Sequence, residues 1–251
     1  MELDWGVLKS PGVPPVPDPI LIILHQEHST PGRVGRLLRE RGHALDIRRP
    51  RYGDPLPETL AGHAGAVIFG GPMSANDTDD WIKREIDWIG VPLSEGKPFL
   101  GICLGAQMMV KKLGGRVARH PDGRAEIGYW PITPTPLGEA LFDWPSHVYH
   151  WHSEGFERPE CCEQLATGET FENQAIRRGQ AFGIQFHPEV THAMLCRWTV
   201  SAHDKLAVPG AQDRATQIER RFQYDPAVHR WLETFLDAWL APSPAHAQVP
   251  G

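Results

Sequence analysis

Over residues 20–115 the chain alternates between short, unbroken apolar runs and stretches with helical spacing. Ile20-Leu21-Ile22-Ile23-Leu24 offers no polar side chain to water, the pattern of a strand buried on both faces. Ser29-Thr30-Pro31 supplies an N-cap and a first-turn proline. The helix they open runs to about Arg41, with Val34, Leu37 and Leu38 on one side and Gly42 as its stop. Residues 44–47, 66–69 and 98–102 read as three more strands. Residues 79–89 carry Trp81, Ile82, Ile86 and Ile89 near helical spacing, with Gly90 and Pro92 as the stop unless a further turn reaches Ser94. Residues 106–113 form another helix, ended by Gly114-Gly115. This alternation predicts an α/β fold with a mostly parallel central sheet and helices on both faces.

Beyond residue 115 the segments shorten and Pro and Gly punctuate them. Residues 129–132 and 147–151 read as later, partly antiparallel strands added to the same sheet. A hairpin is expected from residues 174–177 and 181–186 around Arg178-Gly179-Gln180, and helices over 191–200 and 225–240. Residues 1–19, with Pro11, Pro14, Pro15, Pro17 and Pro19, read as an irregular N-terminal arm, and the Pro/Ala-rich 241–251 as a flexible tail. With no repeat or linker between them, residues 20–240 are expected to form one domain.

The net charge of −6 provides no basic field, which argues against nucleic acid or an anionic membrane as a partner. No run of roughly 20 apolar residues is present to span a bilayer, and the first ten residues lack the pattern of a secretory signal. Four cysteines (Cys103, Cys161, Cys162 and Cys196) make no disulfide framework and no Cys-x-x-Cys, so a reducing cytoplasm is the expected location. The adjacent Cys161 and Cys162 read as small fillers or surface thiols.

The stretch richest in chemistry is Phe99-Leu100-Gly101-Ile102-Cys103-Leu104-Gly105-Ala106-Gln107. A buried strand runs through Gly-x-Cys-x-Gly directly into a helix. Glycines there permit a tight strand-to-helix turn that thrusts the central side chain above the sheet edge. A sulfur so placed sits at a helix N-terminus, which favours thiolate, and the Leu104 N–H faces a developing oxyanion. A buried cysteine between glycines that merely allow close packing is the competing account. In Phe186-His187-Pro188-Glu189 a histidine at a strand end precedes a carboxylate by two residues, a pattern suited to a base and its orienter. By itself His-x-Glu is weak; a nucleophile upstream gives it weight. Phe69-Gly70-Gly71-Pro72 after a buried strand could supply a second oxyanion donor, or be a plain turn.

Taken together, Gly101-Ile102-Cys103-Leu104-Gly105-Ala106-Gln107, Phe186-His187-Pro188-Glu189 and Gly70-Gly71-Pro72 resemble the class I (triad) glutamine amidotransferase family over residues 20–198. Glu126-Ile127-Gly128 and the stretch from Asn173-Gln174-Ala175 to Glu189 are similar to its stand-alone, GMP synthetase-like members. The resemblance implies a flavodoxin-like fold and hydrolysis of the glutamine side-chain amide through a γ-glutamyl thioester, giving glutamate and ammonia without a cofactor. It implies Cys103 as nucleophile, His187 as base and Glu189 as orienting acid. Gly71 and Leu104 would form the oxyanion hole, with Gly70 and Gln107 beside the substrate. His152-Ser153-Glu154 falls where relatives carry a His-Gly-Asp-like segment that contacts the amino-acid end of the substrate. Ser153 and Glu154 depart from that pattern, which puts free glutamine as the substrate in question.

A stand-alone γ-glutamyl hydrolase or peptidase acting on other γ-glutamyl amides is therefore the alternative. The chain shows no Gly-rich ATP loop with Lys-Ser/Thr, so any ammonia acceptor would belong to a separate synthetase subunit. A binding module on a decayed fold is the third reading, and the joint presence of Cys103, His187 and Glu189 argues against it. His147, His150 and His152 alternate along one segment, but with only Glu154 near them at ligand spacing the expectation is no metal. The nine tryptophans read as core, and Arg48-Arg49-Pro50-Arg51 as a solvated turn.

Overall fold

A computed structural model describes residues 17–241. The expected arm and tail therefore lie almost wholly outside the described residues. The apolar runs become the centre of an eight-stranded sheet. In chain order the first half comprises β1 (Ile20–Ile23), α1 (Gly32–Glu40), β2 (Leu45–Arg48), β3 (Gly65–Ile68), α2 (Asp80–Trp88), α3 (Gly90–Glu95), β4 (Phe99–Ile102) and α4 (Leu104–Lys112). Then come β5 (Val117–Arg119), β6 (Glu126–Pro131), β7 (Thr133–Pro134), α5 (Pro136–Leu141), β8 (His147–His152) and β9 (Glu154–Phe156). The chain continues through β10 (Glu163–Thr167), β11 (Asn173–Arg178), β12 (Ala181–Ile184), α6 (His192–Ser201) and α7 (Arg214–Leu240).

The sheet order is β2-β1-β3-β4-β12-β11-β10-β7. The first five of these strands are parallel and the last three pair antiparallel, as a mostly parallel sheet with added strands requires. Alternate side chains divide between two cores, as the two-residue period of a strand dictates. Ile20, Ile22, Leu100 and Ile102 pack with Val34, Leu37 and Leu38 of α1 and with Trp231, Phe235 and Trp239 of α7. Leu21, Ile23, Ala66 and Ile68 face Ile82 of α2 and Met108, Met109 and Val110 of α4. Burying each large side chain contributes about 1.5–3 kcal/mol, which is why these β-strands need no polar face.

Four expectations are corrected. The strands at 129–132 and 147–151 do not join the central sheet; β6 and β8 pair with each other in a separate antiparallel ribbon. Its inner residues Tyr129 and Tyr149 pack with Val190, Met194 and Leu195 under α6, a third core that draws the ribbon off the sheet. The final helix starts not at 225 but at Arg214, where the Asp213 carboxylate accepts the Thr216 N–H at 2.8 Å, and it continues through Pro226. Its first eleven residues are too polar to show a hydrophobic stripe. Pro31 itself holds the cap position of α1, with no side-chain cap from Ser29 or Thr30. Finally, α4 begins at Leu104, two residues before the expected Ala106, and α3 supplies the further turn beyond Gly90.

No helix among the described residues is long and apolar enough to cross a membrane. All four cysteines are free.

Candidate active site

Between the end of β4 and the start of α4 stands one residue, Cys103, with φ 49° and ψ −103°. It is the sole non-glycine residue at positive φ among the described residues, a conformation costing about 1–3 kcal/mol that the surrounding fold must impose. Two glycines make the turn possible. A Cβ on Gly101 would sit 2.6 Å from the backbone of Gly105, and one on Gly105 would fall on the carbonyl oxygen of Ile68 in β3. The helix can thus start hard against the sheet, with the sulfur projecting at its N-terminus.

β12 lies parallel to β4 with Ile184 opposite Ile102, and the Cys103 N–H donates to the Ile184 carbonyl at 2.8 Å. Both strands therefore run out at the same edge, the end of a parallel sheet where ligands bind. Three residues on, His187 donates its backbone N–H to Tyr149 of β8 at 2.8 Å, which ties the ribbon to this loop. His187 Nδ1 donates to Glu189 Oε1 at 2.7 Å, both side chains being buried. The Glu189 carbonyl in turn accepts the Arg33 N–H from the first turn of α1 at 2.9 Å. Trp198 of α6 stands edge-on to the imidazole, with centroids 5.3 Å apart.

Burial presses the His187 pKa down, but the Glu189 carboxylate and the Cys103 sulfur outweigh it and lift it to about 10. At neutral pH His187 is therefore a cation, with Nδ1 bound to Glu189 and the buried Nε2 free of any hydrogen-bond partner among the described residues. The point a Gly70 Cβ would occupy is 2.7 Å from His187 Cε1 and 3.5 Å from Cys103 Cβ, so both side chains converge on Gly70. The Gly70 carbonyl accepts from His25 Nδ1 at 3.1 Å, and His25 Nε2 meets the buried Glu85 carboxylate at 2.9 Å.

These residues open onto a cleft of about 760 Å³, which Gly70, Gly71, Cys103, Leu104 and His187 line. Arg51, Arg119, Arg197 and Lys205 also line it, together with the acids Glu27, Glu154 and Glu189, so the cleft presents both signs of charge.

The remaining expected substrate residues meet the same cleft with different freedom. Gln107 Nε2 donates to the Glu154 carbonyl at 2.9 Å and to Gln185 Oε1 at 3.2 Å, so its amide N–H groups brace the wall. Ser153 is exposed, while Glu154 Oε2 accepts from the Ser74 hydroxyl at 2.8 Å. His152 is buried: its Nδ1 is bound to the Glu154 carbonyl at 2.9 Å and its Nε2 turns inward to Glu126 at 3.1 Å. Neither nitrogen faces a ligand in the cleft.

The β6–β8 register sets Glu126 opposite His152, so the carboxylate beside the histidines is Glu126 and not Glu154. Burial holds His150 neutral, with a pKa of about 3. Burial also pushes Glu126 upward, yet the imidazoles and the Gln174 amide keep it ionised, at about 2. Because His150 is neutral, the support it gives Glu126 is an N–H dipole, not a charge. His147 stands apart, stacked on Tyr224 at 4.0 Å.

Sequence reasoning missed His25, Glu85, Ser74, Trp198 and Glu126. Each reaches its place through a tertiary contact, and none lies in a motif with the residues it touches.

The family model described as Glutamine amidotransferase class-I matches residues 27–195. A glutamine amidotransferase-like protein of Salmonella typhimurium is 28% identical over 211 residues, covering 80% of this chain and 84% of its own length. The glutamine-hydrolysing GMP synthase of Thermus thermophilus is 38% identical over 167 residues, covering 63% of this chain. The chain spans only 31% of that synthase. Among solved structures, a glutamine amidotransferase of Thermotoga maritima superposes with a TM-score of 0.81 at 28% identity, over 90% of this chain and 99% of its own. One from Methylobacillus flagellatus gives 0.84 at 26% identity, over 94% and 100%.

Proposed function

The chain belongs to the glutamine amidotransferase class-I family, and from that premise we propose that it hydrolyses the side-chain amide of glutamine through a thioester on Cys103. The observation that carries the reading is the convergence of Cys103 and His187 on Gly70, with Glu189 on the far nitrogen of the imidazole.

In this mechanism the Cys103 thiolate attacks the amide carbon, and the oxygen that becomes negative is received by the N–H groups of Gly71 and Leu104. His187 gives its proton to the departing nitrogen, the C–N bond breaks, and ammonia leaves a γ-glutamyl thioester. A water molecule then yields a proton to His187 and attacks the thioester, and the C–S bond breaks to release glutamate and regenerate the thiolate–imidazolium pair. Glu189 keeps the imidazole oriented and supports its charge throughout. The cleft cations suit the α-carboxylate of the substrate.

A second reading, a γ-glutamyl hydrolase acting on larger γ-glutamyl amides, draws support from the cleft. Its volume of about 760 Å³ falls well inside the range for drug-sized ligands and exceeds what one amino acid fills. In the first reading the ammonia would pass to a synthetase partner; the chain spans 31% of the length of the GMP synthases it resembles.

Incubation of the protein with glutamine and, separately, with a γ-glutamyl dipeptide, following glutamate release, tests both. Faster turnover of glutamine supports the first reading and faster turnover of the dipeptide the second. Activity unaffected by Cys103→Ala defeats the mechanism in either form.

A further inference from the structure

We propose that Glu126, His150 and His152 form a binding site for one zinc ion behind the wall of the cleft. The three side chains converge from the paired strands β6 and β8, where Glu126 faces His152 and Gly128 faces His150. His150 Nδ1 lies 3.1 Å from His152 Nε2, and Glu126 Oε2 lies 3.5 Å and 3.1 Å from those two atoms. Ligand atoms about a tetrahedral zinc, with bonds of roughly 2.0–2.1 Å, are separated by roughly 3.3–3.4 Å. The triangle already has the size of one face of that tetrahedron.

His152 Nδ1 is taken by the Glu154 carbonyl, which leaves Nε2 as the nitrogen aimed at the Glu126 carboxylate oxygen 3.1 Å away. His150 Nδ1 is aimed at the same oxygen and at His152 Nε2, so three potential donor atoms meet around one point. Glu126 is 2% exposed, and its ion-pair partners among the described residues are these two histidines, with no lysine or arginine. A divalent cation at that point would bind all three atoms and compensate the buried carboxylate.

Two of the three ligands also have outer contacts of the form seen around metal ligands, whereas the distal Nε2 of His150 is buried without a partner among the described residues. The distal nitrogen of His152 is fixed by a backbone carbonyl, and Glu126 Oε2 accepts from Gln174 Nε2 at 2.9 Å. Gln174 Nε2 is held in turn by the Phe171 carbonyl at 3.0 Å. Two imidazoles and one carboxylate are a donor set for zinc, with a further position open for water. Set where β8 passes into Ser153 and Glu154, the ion would pin the segment that lines the cleft.

The test is metal analysis of the full chain after dialysis against zinc and then against buffer, in parallel with its Cys103→Ala and Glu126→Gln variants. About one zinc per chain in the first two, and less than a tenth of that in Glu126→Gln, is expected. Zinc at about a hundredfold excess over its dissociation constant should raise the thermal midpoint by about 5–10 °C. Cobalt substitution of the Cys103→Ala protein gives a reading that does not depend on the folding of Glu126→Gln: visible bands of tetrahedral cobalt with no thiolate charge-transfer band. Failure to retain zinc, retention that survives Glu126→Gln in a folded protein, or a thiolate band overturns the proposal.

Discussion

His25 stands between the Gly70 carbonyl, 3.1 Å from its Nδ1, and the Glu85 carboxylate, 2.9 Å from its Nε2, with both side chains completely buried. In a trans peptide the carbonyl and the following N–H point in opposite directions. Holding the Gly70 oxygen on the His25 side therefore aims the Gly71 N–H the other way, toward the cleft. A Gly-Gly peptide is lightly restrained by its own residues, so the anchor has something to restrain. His25→Ala is expected to lower kcat by about 10- to 100-fold, approaching the loss of one oxyanion donor, with KM changed much less. Glu85→Gln, whose amide can donate to Nε2 and keep the proton on Nδ1, should retain most of the activity. Steady-state kinetics of both variants check this; a change confined to KM would show that the pair shapes the pocket and not the peptide.

The four thiols should differ widely toward a glutamine-mimicking electrophile. Cys103 opens onto the cleft beside a cationic imidazole. Cys162 is buried and its thiol is pushed up to about 12 by burial and by Cys161 beside it, so it is almost wholly protonated at neutral pH. Peptide mapping after brief alkylation should find Cys103 labelled well before Cys161, Cys162 and Cys196. Equal labelling of the four would mean that the elbow confers no special reactivity.

What was legible in the sequence follows from what is local. Ile20-Leu21-Ile22-Ile23 is apolar throughout because both faces of β1 are covered, and that fact needs no partner to be read. The elbow at Cys103 was likewise visible, since strand, glycines and helix are contiguous. The position of Glu126 was not: it depends on β6 leaving the sheet to pair with β8, and nothing near Glu126 names His152 as its neighbour. The same holds for His25 and Glu85, sixty residues apart and joined only when α2 packs beside β1. The start of α7 was hidden for another reason. Arg214–Tyr224 carries its buried contacts on few residues, Gln217 among them, and Pro226 looks like a first-turn proline when the helix before it is unseen.

The lifted pKa of His187 sets two limbs of pH dependence. Its folded value of about 10 lies above the unfolded reference of about 6.5, so the folded state binds the proton more tightly. The corresponding stability is fully present below about pH 6.5 and is lost as pH rises through about 10. Thermal midpoints of wild type should fall across that window more steeply than those of His187→Gln, which lacks the group. In the proposed mechanism activity should follow the same alkaline limb, because above about pH 10 the imidazolium that would protonate the leaving nitrogen is gone. Superimposable stability profiles for the two proteins would remove the ion pair from the account.

Gly105 tests how tightly the elbow is held against the sheet. The added methyl of Gly105→Ala would strike the backbone of Ile68, which belongs to β3 and cannot rotate aside as a side chain would. Either α4 withdraws from the sheet or β3 shifts, and both movements also displace Cys103, two residues away at the helix start. A loss of about 1–3 kcal/mol is expected, lowering the thermal midpoint by about 3–10 °C. Activity should fall further than stability alone accounts for, since a displacement of about 1 Å at the reacting group can cost about 100-fold. Gly62→Ala is the control: its methyl would meet nothing within 4 Å, so both midpoint and rate should stay at the wild-type values. A Gly105→Ala enzyme as stable and as fast as wild type would mean that α4 is free to stand off from β3, and that the strained backbone at Cys103 is not enforced by the contact beneath it.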